Sequence, residues 1–456
     1  MAQSSKAITG YLPDETPSVG KTLVFAFQQI LVMFPATVTV ALLTGFHVST
    51  TIFASGLATI CFLLITRGKI PLYYGSSFSY IAAIVSITGV REFGEIASDN
   101  LISQAQFGII MSGVVSIVVG LIVSRFGMNV IEKVLPATVT GSIAMVIGIS
   151  LASTAITYAS GYDSVAGTVN NKFWIAALVT LVATIVFSVY LKGILGQLPI
   201  LLGIIVGYLV SIPLGLIDFG AIWDGTVVSV PHFTLPSPNW MAVFAIMPIA
   251  IATIPESTAH LFQLDIYVNN LAKKKGKGEY KIADKLGLNL VGDGIGDIVS
   301  AAFGGPAGTN YGENISTMAI TRNFSTRVLG VAAIMAMALS FLNPVSNAIN
   351  SVPSSVINGA CIYLFGVIGA QGIAIMINKK VDLFSAKNLA VIAVILVVGL
   401  GGHYGFKDGM IPVFGTKLPA IATAAIVGIV LNLILSFGKK EVEPVAETVE
   451  EVKTEA

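Results

Sequence analysis

The feature that most restricts this chain is its succession of long, uncharged apolar runs. A helix needs about 20 apolar residues to cross a bilayer core. Runs of that order lie near 22–42, 50–66, 105–124, 134–152, 173–191, 198–217, 240–264, 284–304, 325–345, 354–378, 385–402 and 416–437. Two more, 71–90 and 306–321, are shorter and interrupted by Gly, Ser, Pro and Asn. Of the 456 residues 55% are hydrophobic and 11% charged, against about 25% charged in soluble domains. A water-soluble fold of this composition would lack a polar surface, so an all-α polytopic membrane protein is expected. The net charge of +1 offers no basic face to nucleic acid. Cys61 and Cys361 sit in apolar runs and read as packing residues, and no disulfide or metal-ligand spacing is visible.

Loop charge tests whether the two short runs cross. With the N-terminus inside and fourteen crossings, 21 of the 25 Lys and Arg fall in inside loops, the lysine-rich 273–285 stretch among them. Only Arg91, Lys172, Lys407 and Lys417 fall outside. Omitting either short run alone inverts every later loop and destroys the bias. The expectation is therefore fourteen transmembrane segments in the cell membrane with both termini cytoplasmic. Residues 1–20 form a polar N-terminus, 21–437 the membrane unit, and the acidic 438–456 a disordered tail.

Similar phrases recur about 220–240 residues apart. Phe34-Pro35-Ala36-Thr37 echoes Ile254-Pro255-Glu256-Ser257, and Tyr74-Gly75-Ser76-Ser77 echoes Tyr311-Gly312-Glu313-Asn314. Pro136-Ala137-Thr138-Val139 echoes Pro353-Ser354-Ser355-Val356. Seven segments per half is an odd number, so the halves must insert with opposite orientation. A 7+7 inverted repeat with interrupted segments at matching positions, here 3 and 10, marks many secondary transporters. Interrupted backbone at membrane depth is tolerated where it is buried or lines a cavity, which puts the expected substrate site at mid-membrane.

Ionisable residues at membrane depth are costly and point to function. Glu256 and His260 lie four apart in segment 8 and share a helix face. A carboxylate and an imidazole so placed suit proton coupling, since histidine changes charge near neutrality. The competing reading is a hydrogen-bonded pair that locks the segment. Asp293 and Asp297 are four apart in segment 9. Asp293 is a candidate for coupling or for a helix-locking bond, and Asp297 for a structural role or an aqueous vestibule. Glu313 follows an extended stretch, 306–312, at a helix start that favours its charge. As an acceptor-only group it suits a ligand presenting N–H groups. Phe78 and Tyr311, beside the two interruptions, are candidates for ligand contact or plain packing. No P-loop, nucleophile–base phrase or cofactor motif is present, so an enzyme or an ATP-driven pump is not expected.

Three phrases carry a family likeness: Lys69-Ile70-Pro71-x-Tyr73-Tyr74-Gly75-Ser76-Ser77-Phe78, Glu256-x-x-x-His260, and Tyr311-Gly312-Glu313-Asn314-Ile315 with Ala319-Ile320-Thr321-Arg322. Over roughly 15–437 the chain resembles the nucleobase–ascorbate transporter (nucleobase:cation symporter-2) family, in particular its uracil permease branch. The resemblance implies short crossed strands in segments 3 and 10. It implies a core domain of segments 1–4 and 8–11 (about 21–125 and 240–345) and a gate domain of segments 5–7 and 12–14 (about 133–217 and 353–437). It further implies proton-coupled nucleobase uptake by a homodimer. Glu256 and Glu313 would then hydrogen-bond the base, Phe78 and Gly312 would offer backbone groups, Ala36 would line the pocket, and His260 would take part in coupling; the residues themselves add Tyr311 as a candidate for substrate binding and Glu256 and Asp293 as candidates for coupling. The coupling ion is H+, and no cofactor or metal is implied. Three departures keep other bases in view: Ser316 replaces a family Gly, Asp293-Gly294 resembles the purine branch, and Gln29 stands where uracil permeases often carry His. A xanthine or other purine permease is the alternative within the family, and a passive channel the alternative outside it.

Overall fold

The computed structural model describes residues 10–90, 93–127, 134–162, 167–223, 225–413 and 416–436. The first nine residues, the acidic tail 438–456, and the loop charges Arg91 and Lys133 lie outside the described residues, with the expectations attached to them.

The described chain is mostly helical. The first half contains the helices α1 (Val19–Thr44), α2 (Val48–Ile65), α3 (Ile81–Thr88), α4 (Asp99–Phe126), α5 (Ala137–Ser150, continued by the short helix Ala152–Ser160), α6 (Asn171–Tyr190) and α7 (Pro199–Ser211). The second half contains α8 (Ala250–Lys274), α9 (Leu286–Ala302), α10 (Gly312–Thr321), α11 (Thr326–Leu339), α12 (Ser354–Asn378), α13 (Ala386–Leu396) and α14 (Ala420–Ser436). Among the described residues, eight helical stretches are long and apolar enough to cross a membrane. Leu, Ile, Val and Ala dominate them because in lipid the backbone must satisfy its own hydrogen bonds while the side chains face hydrocarbon.

Several runs end sooner than their apolar length suggests. α7 stops at Ser211 within the 198–217 run, because Pro213 has no N–H to continue the helical hydrogen-bond ladder. The 325–345 run breaks after Leu339, and a separate short helix, Asn343–Asn350, begins with Pro344 in its first turn. β3 (Met410–Val413) pairs antiparallel with β4 (Thr416–Pro419), so the first four residues of the 416–437 run are strand and its helix starts at Ala420.

Packing partners come in matched sets. α4 packs along α9 and α2 along α11, with α2 also on α9. α5 packs on α12, α6 on both α7 and α12, and α13 on both α14 and α5. Two of these seams are built on glycine. A Cβ at Gly113 would sit 2.4 Å from the Gly294 carbonyl and one at Gly294 2.3 Å from the Gly113 carbonyl, so α4 and α9 touch backbone to backbone. Gly141 and Gly372 do the same for α5 and α12, at 2.7 and 2.4 Å. Small residues at helix contacts permit this approach in membranes, where burial gives little drive to associate.

Between α2 and α3 the chain runs extended as β1 (Tyr74–Ser76), and between α9 and α10 as β2 (Gly308–Asn310). The two pair antiparallel, Tyr74 with Asn310, Gly75 with Thr309 and Ser76 with Gly308. All six residues are buried. Each strand feeds a short helix through one extended residue: Ser77 (φ −98°, ψ 130°) and Tyr311 (φ −87°, ψ 116°).

Candidate functional site

Where the two strands end, a cavity of about 500 Å³ opens between them, α8 and α12. Its walls include Ala36 of α1, Phe78 after β1, Glu256 and His260 of α8, and Tyr311, Gly312 and Glu313 at the start of α10. Seven of the nine residues singled out from the sequence thus come together across four chain segments. Asp293 and Asp297 do not line the cavity.

The strand geometry depends on two glycines. A Cβ on Gly75 would fall 2.2 to 2.6 Å from the Tyr311 ring, and one on Gly308 would fall 2.3 Å from the Gly75 carbonyl. The pair can close only if both lack side chains. The Tyr311 hydroxyl donates to the Ser76 carbonyl at 3.0 Å and lies 2.9 Å from the Thr37 hydroxyl. That oxygen fastens β1, α1 and α10, leaving the ring and main chain to the cavity.

The strands are held from behind. The Tyr74 hydroxyl donates to Asp297 Oδ1 at 2.5 Å, and the Gly308 N–H donates to the same oxygen at 2.8 Å. Asp297 therefore clamps both strands, which gives it the structural role of the two weighed. Ser55 and Thr59 of α2 donate to the Tyr74 carbonyl at 2.8 and 3.1 Å, and the Tyr74 N–H donates to Thr59 at 3.0 Å. Asp293 accepts from the Ser257 hydroxyl and, at 3.3 Å, from Asn310 Nδ2. Asn289 Nδ2 in turn donates to Ser257 at 2.7 Å, and Asn310 Nδ2 to Ser257 at 3.0 Å. This network ties α8, α9 and β2 directly beneath Glu256.

In front, acceptors and donors are left for a ligand. Glu313 is deep in the molecule yet its side chain is open to the cavity. Gly312 and Glu313 open α10, so their N–H groups have no partner within the helix. Gly312 also permits contact with His260: an added Cβ would lie 2.7 Å from Nε2. Among the described residues, Thr309 Oγ1 and Asn310 Oδ1 belong to residues of the cavity wall and are buried with no protein partner. Phe78 stacks edge-on to Phe365 of α12, ring centroids 6.3 Å apart.

Sequence reading missed Gln371, Gln263 and the Ser257–Asn289–Asn310 support. Gln371 and Gln263 line the cavity, and each is an amide inside an apolar run. The search for ionisable groups passed over them because they carry no charge.

A sequence model of the Permease family (Xan_ur_permease) matches residues 20–408. The chain belongs to the nucleobase:cation symporter-2 family. Relatives in this family include the uracil permease of Bacillus caldolyticus, 37% identical over 92% of this chain and 93% of the relative. The uracil permease of Bacillus subtilis (strain 168) is 34% identical over 94% and 95%. That of Escherichia coli (strain K12) is 34% identical over 92% of each chain. Among solved structures, the transmembrane domain of the cyanobacterial bicarbonate transporter BicA superposes with a TM-score of 0.57 at 15% identity, covering 92% of this chain and 98% of that one. The overall structure of SLC26A9 gives 0.62 at 10% identity, covering 91% and 65%. These two share the fold. As a nucleobase:cation symporter-2 member with long apolar helices, the chain is a multi-pass membrane permease rather than an enzyme.

Proposed function

We propose that this permease imports a nucleobase, uracil foremost, by proton symport with alternating access. The observation that carries the reading is the meeting of Glu256 and Glu313 in one cavity with an open helix N-terminus. Uracil presents two N–H groups and two carbonyls. Two carboxylates are acceptors for the N–H groups, and the N–H groups of Phe78, Gly312 and Glu313 are donors for the carbonyls. The volume of about 500 Å³ falls in the ~300–1,000 Å³ range of small-molecule sites. An anion such as bicarbonate would meet two acids there, so the fold shared with anion carriers does not extend to the cargo.

Fourteen segments in a 7+7 inverted repeat, with both termini cytoplasmic in the cell membrane, are part of the same proposal. Its support is the matched packing: α4 on α9 mirrors α11 on α2, and α6 on α7 mirrors α13 on α14. The same pairs favour the core and gate division, with Phe78 against Phe365 at the boundary. The cavity wall extends to Gln263, Ala374 and Asn378, toward the helix ends that carry Lys273–Lys274 and Lys379–Lys380. That favours an inward-open state. His260, beside both Gly312 and Glu256, is the proposed partner in proton coupling, with Asp293 supporting it through Ser257. A homodimer, implied by the family resemblance, completes the proposal; light scattering on the purified protein checks it.

Purine transport is the second reading, favoured by Asp293-Gly294 and by Gln29, which accepts from Asn314 Nδ2 at 2.7 Å. The test is radiolabelled uracil uptake into proteoliposomes with and without an imposed pH gradient, with unlabelled uracil and xanthine as competitors. Accumulation that follows the gradient and is blocked by uracil supports the first reading, and block by xanthine alone supports the second. Equilibration without accumulation means a passive channel. Wild-type affinity in Glu256→Gln or Glu313→Gln overturns the site.

A further inference from the structure

The turn joining α1 to α2, the start of α4 and the linker entering α8 converge at one end of the molecule. At the other end, Gly10 and Glu15, just before α1, bond to Lys275, just after α8. α1 is 26 residues long and separates the two ends by roughly 39 Å at 1.5 Å per residue. At the far end His47, Asp99 and His232 each offer a ligating atom, all within 4.8 Å of one another. His232 Nε2 lies 3.0 Å from both Asp99 oxygens, and its ring rests on that of His47 with centroids 4.5 Å apart.

We propose that these three side chains form a site for a zinc-class divalent cation. Two imidazole nitrogens and one carboxylate oxygen make a donor set suited to zinc, with water as a fourth ligand, whereas magnesium and calcium prefer oxygen alone. Bonds of about 2.0–2.2 Å to a tetrahedral ion set the donors roughly 3.4 Å apart. The His232–Asp99 spacing of 3.0 Å is already near that figure, and a side-chain rotation brings His47 in.

The backbone around the site is fixed before any ion arrives. Thr50 of α2 donates to the His232 carbonyl at 2.7 Å. Gln106 of α4 donates to the Thr234 carbonyl at 2.8 Å and accepts from the Thr234 hydroxyl at 2.9 Å. Phe233 stacks edge-on to Phe53, centroids 5.1 Å apart. A bare ion pair explains less. His232 and Asp99 are 51% and 61% exposed, and such pairs contribute at most about 1 kcal/mol, with no reason for a second histidine to stack alongside. The ligands are 52 and 133 residues apart in sequence, read from their numbers, so no local motif announces them. None lines the cavity of about 500 Å³, so the site is independent of the transported solute. Bound metal would rivet the linker between the two halves to α2 and α4.

The test uses tag-free purified protein, stripped with chelator, dialysed against Zn2+ or Mg2+, and assayed for bound metal by mass spectrometry. One zinc per chain and no magnesium are expected for the wild type, with Co2+ giving the visible absorption of a tetrahedral site. His232→Gln and His47→Gln should bind zinc at least tenfold more weakly, and Asp99→Asn likewise. Zinc should raise the unfolding temperature of the wild type only. Monodisperse elution and an unchanged metal-free unfolding temperature certify that the variants fold. A wild type that retains no zinc overturns the site, as does a His232→Gln variant that holds zinc like the wild type. Zinc binding with no rise in unfolding temperature overturns the riveting role.

Discussion

The two interrupted segments share a backbone and differ in chemistry. β1 and β2 have the same length, pair with each other, and each leads through one extended residue into a short helix. Around the β1 main chain the partners are hydroxyls, Ser55 and Thr59 on Tyr74 with Ser77 and Ser79 beginning the helical turn, and one carboxylate, Asp297, reaches the Tyr74 side chain. Around β2 they are carboxylates and amides: Asp297 on Gly308, Asp293 and Asn289 around Asn310, and Glu313 at the helix start. Matched geometry builds a cavity at the crossing, and unmatched side chains load its ionisable groups onto one wall. Proton-dependent steps should therefore be sensitive to the second crossing and nearly indifferent to the first.

The largest effect expected from breaking that asymmetry is at Glu313. Its structural counterpart is Ser79, since Ser77 and Tyr311 occupy equivalent turns. Hydrogen bonds to charged groups contribute about 1.5–3 kcal/mol, so Glu313→Gln should weaken uracil binding by roughly 10- to 100-fold at 1.4 kcal/mol per decade. Ser79→Ala should change it less than about threefold, the scale of a net neutral hydrogen bond of ~0.5 kcal/mol. Calorimetric titration of both variants decides, and equal effects would erase the asymmetry. Next in size, Gly308→Ala forces a methyl against the Gly75 carbonyl, and overpacking of this kind costs about 1–3 kcal/mol. A lowered unfolding temperature is expected in detergent, with uracil uptake lost.

The anchors can be compared directly. Asp297→Asn removes the charge from two hydrogen bonds and should destabilise by about 1.5–3 kcal/mol. Thr59→Val removes neutral ones and should cost about 1 kcal/mol. Should thermal unfolding rank them the other way, the β2 side would not be the more heavily secured.

A small effect is expected at the N-terminal strap over the second crossing. The Tyr11 carbonyl accepts from the Phe324 N–H at 2.8 Å, and Glu15 accepts from Lys275 at 2.5 Å and from Lys277 at 2.9 Å. Burial pushes the Glu15 carboxyl up, but hydrogen bonds from Lys275, Lys277 and the Leu12 N–H outweigh it and hold the pKa down at about 2. A depressed folded-state pKa stabilises above the ordinary value of 4.5, and that contribution is lost as pH falls from 4.5 toward 2. For a partly solvated pair the effect should be about 1 kcal/mol. Glu15→Gln should flatten the acid limb of the stability curve in that window, as measured by unfolding temperature against pH.

The membrane class was legible because hydrocarbon tolerates so few charges, and three of the five it did hold, Glu256, His260 and Glu313, reach one cavity, while Asp293 and Asp297 brace β2 from behind. Other features depended on long-range contact. The echo of Tyr74-Gly75-Ser76 in Tyr311-Gly312-Glu313 sets a strand against a helix start, whereas the structure sets it against Gly308-Thr309-Asn310, three residues earlier. Two similar strings of small residues cannot reveal which glycine lies under which carbonyl. Asn289 and Asn310 were invisible as partners, because an amide in an apolar run reads the same whether it is bonded or not.

The glycine seams carry a mechanical consequence. At Gly113–Gly294 and at Gly141–Gly372 a carbonyl of one helix rests where the other has no side chain, so neither pair can slip by a residue without meeting a Cβ. Each seam behaves like a keyed joint. Any cycle that exposes the cavity first to one side and then to the other has to turn both joints whole. The give is left to contacts between ring edges such as Phe78 and Phe365, where a shift costs only weak dispersion.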